Sequence, residues 1–234
     1  MQMPSSLAVG ISDFLKEVRP SHVIETGTYE GLGSTKIIAE LLTQLKCADQ
    51  FVTVEANWKS WKKAKRNLQP YSFVKPLWGN TVDVKHASAF IMDDEVLKHP
   101  ENYPDLLFDT PYNQQQFYLD EINGKLGGRV SKRNMLAYLM DRSLHFSGSN
   151  LLTKYLQKFR GHEPLIVLDS AGGIGWLEFQ IVRETLGNQS YHILLDDINH
   201  VKHFRSYQAI QKDPCFHITS IDPDGRWVIA SYVS

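Results

Sequence analysis

Short apolar runs alternate along this chain with stretches whose apolar residues recur every three to four positions. Residues 5–18 place Leu7, Ile11, Phe14, Leu15 and Val18 on one helical face, with Ser5 or Ser6 as cap and Arg19-Pro20 as the stop. A strand follows, "HVIET" (22–26), then a glycine-rich turn. Next comes a helix striped by Ile37, Ile38, Leu41, Leu42 and Leu45, with Ser34 as its cap. "QFVTVEAN" (50–57) reads as a second strand, and Asn57 as the cap of a basic helix, "WKSWKKAKRNL", whose Trp58, Trp61 and Leu68 face the core. "YSFVKPLWGN" (71–80) is a third strand. Such alternation predicts a parallel sheet with helices on both faces.

The pattern resumes at "PLIVLDSAG" (164–172), with a helix around 175–187, the strand "YHILLDDIN" (191–199) and a helix around 200–212. "FHITSI" and "RWVIASYV", joined by "DPDG", read as a closing antiparallel hairpin. Residues 95–163 differ in composition, with much Pro, Tyr, Asn and Gln, and a helical stretch from about 131 to 160. They are taken as an insertion within one domain spanning 1–234. A connection of that length is usually a lid, a binding element or an oligomer contact. "YPDLLFD" within it is an alternative fourth strand.

A chain of 234 residues buries roughly 70% or more of its unfolded surface, so no disulfide or structural metal is needed to hold it. Lys plus Arg number 25 and Asp plus Glu 26, too even a balance for a protein that neutralises nucleic-acid phosphates. The tryptophan-bearing basic helix is read as a solvated face. Two cysteines without a C-x-x-C spacing fit a reducing, cytoplasmic setting. Neither a signal peptide nor an apolar run of membrane-spanning length is evident.

Parallel sheets bind ligands beyond the carboxyl ends of their strands, where strand order reverses. The turn after "HVIET" is expected there, with Gly27, Gly31 and Gly33 permitting close approach and the next helix offering N–H groups to an anion. It is neither G-x-G-x-x-G nor a P-loop. Glu25 ahead of Gly27 would repel a pyrophosphate and suits a cationic or hydroxylated ligand.

"ETGTYEGLGST" resembles the S-adenosylmethionine loop of class I methyltransferases, above all the catechol and macrocin O-methyltransferase groups. The resemblance covers residues 1–90 and 164–234. It implies a Rossmann-like α/β fold with a seven-stranded, mostly parallel sheet. It implies a cofactor site of Glu25, Gly27, Thr28, Tyr29, Gly31, Gly33 and Ser34, with Glu55 gripping the ribose hydroxyls and Asn80 and Thr81 of "GNT" bordering the adenine.

Asp169, Asp196 and Asp197 end predicted strands, and the 27-residue step from Asp169 to Asp196 is similar to that of the macrocin group. The resemblance makes this trio the ligands of magnesium or a similar divalent cation, which would lower the pKa of an acceptor hydroxyl. Alternatively, Asp197 caps the following helix or pairs with Lys202. The lysine that the catechol group carries three residues after the strand-four aspartate is replaced here by Gly172. His200 is then the expected proton acceptor beside Asp169, with Lys202 and His203 as neighbours. "DSAGGIG" is read as a loop that lets backbone approach substrate or metal. Tyr112, Phe117 and Tyr118 line an acceptor pocket or a homodimer contact.

The resulting expectation is methyl transfer from S-adenosylmethionine to a hydroxyl of a small molecule, a sugar or secondary metabolite, assisted by a metal. Two rivals stand beside it: a non-catalytic assembly protein on the same fold, and an iron enzyme like the cephalosporin hydroxylases.

Overall fold

The computed structural model describes residues 5–124, 135–144, 149–170 and 172–234. The chain runs α1 (Ser5–Val18), β1 (His22–Thr26), α2 (Ser34–Leu45), β2 (Gln50–Glu55), α3 (Trp58–Asn67), β3 (Val74–Trp78), α4 (Val84–Asp93), α5 (Glu95–Lys98), α6 (Gln114–Ile122), α7 (Met135–Leu144), α8 (Leu151–Lys158), β4 (Leu165–Leu168), α9 (Gly175–Leu186), β5 (Tyr191–Asp196), α10 (Phe204–Lys212), β6 (Phe216–Ile221) and β7 (Trp227–Tyr232). The seven strands lie in the order β3-β2-β1-β4-β5-β7-β6. β1 to β5 are parallel, and β7 is antiparallel to both β5 and β6.

Side chains alternate across the sheet, so each strand feeds two cores. Val23, Phe51, Leu165, Val167, Leu194 and Ile229 point to one face, under Leu7, Ile11 and Phe14 of α1 and Ile38 and Leu42 of α2. Ile24, Val52, Ile166, Leu168, Ile193 and Leu195 point to the other, under α8, α9, α10 and α4. Each of these side chains contributes about 1.5–3 kcal/mol relative to exposure. The uninterrupted apolar run of β4, and Ile193–Leu195 within β5, are therefore the mark of strands covered on both sides. Among the described residues, no helix is long and apolar enough to cross a membrane.

Some local expectations change. Ser6 does not cap α1; its hydroxyl donates to Asp222 Oδ1 (2.8 Å) and accepts the Trp227 indole N–H (3.3 Å). The side chain of Ser5 lies outside the described residues. Trp58 and Trp61 are half-buried rather than in the core, because β3 is the sheet edge and α3 packs over it. The Trp61 indole donates to the Pro76 carbonyl (3.2 Å), where an edge strand tolerates proline. Asn57 caps α3, accepting the Ser60 N–H at 3.0 Å.

Within 95–163, "YPDLLFD" forms no sheet strand; Leu107 makes one bridge to His200 in the β5–α10 loop. The expected helical stretch 131–160 holds α7 and α8, while 131–134 and 145–148 lie outside the described residues. α8 packs on β1 and α9, as a crossover helix does.

Candidate active site

β1 pairs with β2 on one side and β4 on the other, so strand order reverses at the carboxyl end of β1. A cleft of about 750 Å³ opens there. Its wall includes Gly27 and Tyr29 of the glycine turn, Glu55, Asn80, Thr81, Asp169 and Ser170, and its roof includes Glu121, Ile122, Gly124 and Asp141. Its described lining residues include four carboxylates and no lysine or arginine.

The turn is pinned from both sides. Gly27 has φ +83°, and a Cβ there would run into the carbonyl of Asp169. The turn thus packs directly on the end of β4, which only glycine permits. Tyr29, also left-handed at φ +50°, donates its N–H to Glu55 Oε2 at 2.7 Å. The Asn57 N–H reaches Glu55 Oε1 at 2.7 Å. Burial raises the Glu55 carboxyl to about 7, against the pull of these two N–H groups. Each Glu55 oxygen keeps accepting capacity toward the cleft.

Glu25 stands elsewhere than its sequence position suggests. It is fully buried and accepts from Ser34 Oγ (2.7 Å), Thr35 Oγ1 (2.6 Å) and Thr53 Oγ1 (2.7 Å). It braces the turn from beneath the α2 N-terminus, where a carboxylate suits the helix dipole, and it is not among the described lining residues of the cleft. Burial raises its carboxyl to about 7. Ser34 is the first residue of α2, not its cap; Gly33 holds the cap position without a side-chain bond. Thr28 is buried too, its hydroxyl bonded to Thr53. Gly31 abuts Leu68, and Gly33 faces open space. Of the expected cofactor residues, Gly27, Tyr29, Glu55, Asn80 and Thr81 reach the cleft.

A second buried carboxylate, Glu178 of α9, escapes the sequence reading. It accepts hydroxyls from Thr26 (3.0 Å), Ser170 (2.7 Å) and Thr81, tying the ends of β1, β3 and β4 together. Its signal was available: it shares the helical stripe of Ile174, Leu177, Ile181 and Val182, where an apolar residue belongs. The backbone of Asn80 is held by Ser149 Oγ (2.9 Å) and by the Leu151 N–H (3.1 Å) at the start of α8. Asp141 of α7 accepts the Trp58 N–H at 2.6 Å, closing the cleft over the start of α3. Burial raises its carboxyl.

Asp169, Asp196 and Asp197 converge, with one carboxylate oxygen from each lying within 4.8 Å of the others. Lys202 stands among them. Its ammonium is 2.7 Å from Asp169 Oδ1 and 2.7 Å from Asp197 Oδ2, and its side chain is 6% exposed. Burial alone would lower its pKa, but the Asp169 and Asp197 charges raise it above the lysine norm. Burial, then Asp169, raises Asp196 to about 7.

His200 stands outside the described lining of the cleft. Its Nδ1 accepts the Lys202 N–H at 3.2 Å, so the ring proton sits on Nε2, facing Asp109 Oδ1 at 3.6 Å. The ring is packed between the Lys202 backbone and the Asp109 carboxylate. Burial lowers its pKa, against the pull of Asp109 and Asp197. His203 is fully buried beside Ser206. Tyr118 belongs to the core, and Tyr112 is exposed, so neither lines the cleft. In "DSAGGIG", Asp169, Ser170 and Ile174 line the cleft, while the glycines admit the protein's own groups: a Cβ at Gly172 would strike the Asp109 carboxylate, one at Gly173 Tyr118, and one at Gly175 the Lys202 backbone. Ala171 lies outside the described residues.

No protein-family model matches this sequence, and no curated protein is similar to it. Solved structures are. An O-methyltransferase from Bacillus cereus, in complex with SAH, is 15% identical, with a TM-score of 0.50 over 99% of this chain and 82% of that one. The O-methyltransferase TomG from Streptomyces achromogenes, in complex with SAM, is 11% identical, with a TM-score of 0.51 over 99% and 81%. This chain has the class I methyltransferase fold. On that fold, the glycine turn, Glu55 and the carboxylate trio all stand at the carboxyl ends of the central strands, and Gly27, Tyr29, Glu55 and Asp169 line the cleft.

Proposed function

We propose that this protein binds S-adenosylmethionine in the cleft and transfers its methyl group to a hydroxyl of a small molecule. The observation that carries this reading is Glu55, held by Tyr29 and Asn57 at the tip of β2 and turned into a cleft lined by four carboxylates. A diol donates well to a fixed carboxylate. The carboxylates among the described lining residues favour a sulfonium over the phosphates of a dinucleotide. The solved relatives bound to SAH and SAM support the same ligand class.

In the transfer, the acceptor oxygen attacks the methyl carbon in line and forms a C–O bond. The C–S bond breaks, its electron pair neutralises the sulfonium, and the hydroxyl proton passes to a base. Glu121 of α6 is that base in this reading: it lines the cleft, and its buried Oε2 has no hydrogen-bond partner among the described residues. Burial, reinforced by Asp109, raises its carboxyl to about 7, a value suited to proton uptake. Holding donor and acceptor in line can supply on the order of 7–11 kcal/mol. α6 and α7, from the insertion, act as the roof that excludes water.

A divalent ion does not fit the trio as it stands. Asp169, Asp196 and Asp197 supply enough oxygens, but the Lys202 ammonium already pairs with two of them. A dication about 4 Å from that ammonium would be repelled by on the order of 8 kcal/mol at an effective dielectric of 20. The same charge weighs against an iron-dependent hydroxylase. Thermal unfolding with added ligands tests the reading: S-adenosylmethionine and S-adenosylhomocysteine should raise the midpoint, and NAD and ATP should not. Stabilisation by NAD or ATP alone would contradict it.

A further inference from the structure

We propose that Lys202 is a resident cation that takes the place of a divalent metal, so that the three strand-end aspartates hold an ammonium and not an ion drawn from solution. Three observations carry this. The ammonium lies 2.7 Å from carboxylate oxygens of both Asp169 and Asp197, within a trio whose ligand atoms lie inside 4.8 Å of one another. The lysine is delivered by a fixed backbone: its N–H donates to His200 Nδ1 at 3.2 Å, and its carbonyl and Cγ lie where a Cβ on Gly175 would be. Asp197 adopts a left-handed φ of +58°, a conformation that non-glycine residues keep only when their surroundings enforce it. A surface lysine that had drifted onto an acidic patch would be exposed and would lack such supports; Lys202 is 5% exposed.

Lys202 does not line the cleft, but Asp169 does. Lys202 is therefore a positioning residue. It fixes the Asp169 carboxylate at the acceptor end and balances the charge of the trio, which a metal would otherwise do. That catalytic consequence rests on the methyltransferase reading; the occupancy of the trio by an ammonium does not.

The test is a manganese titration of the full chain at neutral pH, followed by the paramagnetic resonance of free Mn²⁺. Wild type should leave Mn²⁺ free up to millimolar concentration. Lys202→Met should bind one equivalent at least tenfold more tightly than wild type, and Asp169→Asn added to it should abolish that binding. A wild-type protein that binds one equivalent, and loses it with Asp169→Asn, overturns the proposal. So does a folded Lys202→Met protein that binds none. If Lys202→Met does not fold alone, refolding with Mn²⁺ should restore a cooperative thermal transition, and failure to do so also overturns it. Failure of S-adenosylmethionine to bind would leave this titration unaffected, so the two claims fail separately.

Discussion

Glu55 Oε2 accepts the backbone N–H of Tyr29 at 2.7 Å, which locks the tip of β2 to the glycine turn after β1. Glu55 and the glycine turn, the two elements to which the proposed reading gives the methyl donor, are thus one unit. Gly27 extends that unit to β4 by packing on the Asp169 carbonyl.

Gly27→Ala should therefore destabilise the protein by on the order of 3 kcal/mol or more. The φ of +83° disfavours any side chain, and the new methyl meets backbone that cannot move aside. Urea unfolding should show a lower midpoint with an unchanged slope. A midpoint equal to wild type would mean that the turn is not pressed against β4.

Glu25 gives a pH signature. Burial, with Asp169 adding to it, raises its carboxyl from the usual 4.5 to about 7. The folded state then binds more protons than the unfolded state between those values. The stability tied to Glu25 is present below 4.5 and is lost as pH rises through 7. Glu178 and Asp196 shift in the same direction, so a substitution must isolate the share of Glu25. Relative to Glu25→Gln, wild type should lose about 3 kcal/mol of unfolding free energy between pH 5 and pH 8. Parallel stability curves for the two proteins would refute this.

Glu178→Ala should cost on the order of 3–5 kcal/mol, because the hydroxyls of Thr26, Thr81 and Ser170 all lose their acceptor. Glu178→Gln keeps an acceptor oxygen and should recover much of the loss. Equal damage from both substitutions, measured by chemical denaturation, would point to the charge rather than the hydrogen bonds.

Much of this architecture was legible in the residues. Period-two alternation with apolar runs at β4 and β5 located every strand, because each strand feeds two covered faces. Glu55 was legible because it closes β2 beside the glycine turn, where a carboxylate interrupts a largely apolar run. Glu25 was misread for a related reason. One residue before the strand end, its side chain turns inward, and the hydroxyls that claim it come from α2 and β2. The carboxylate trio could be read from spacing, and Lys202 could be named as a partner of Asp197. That its ammonium also meets Asp169 depends on how the β5–α10 loop packs on Gly175, which no periodicity encodes. Glu121 and Asp141 come from the insertion, where composition said only that the segment differs.

Calorimetric titration of S-adenosylmethionine into wild type and Glu55→Ala is the most direct test of the cleft as a methyl-donor site. The geometry predicts micromolar binding to wild type and at least tenfold weaker binding to the variant, about 1.4 kcal/mol or more, with the fold intact. No heat of binding at millimolar ligand, or equal affinity in the two proteins, would contradict it.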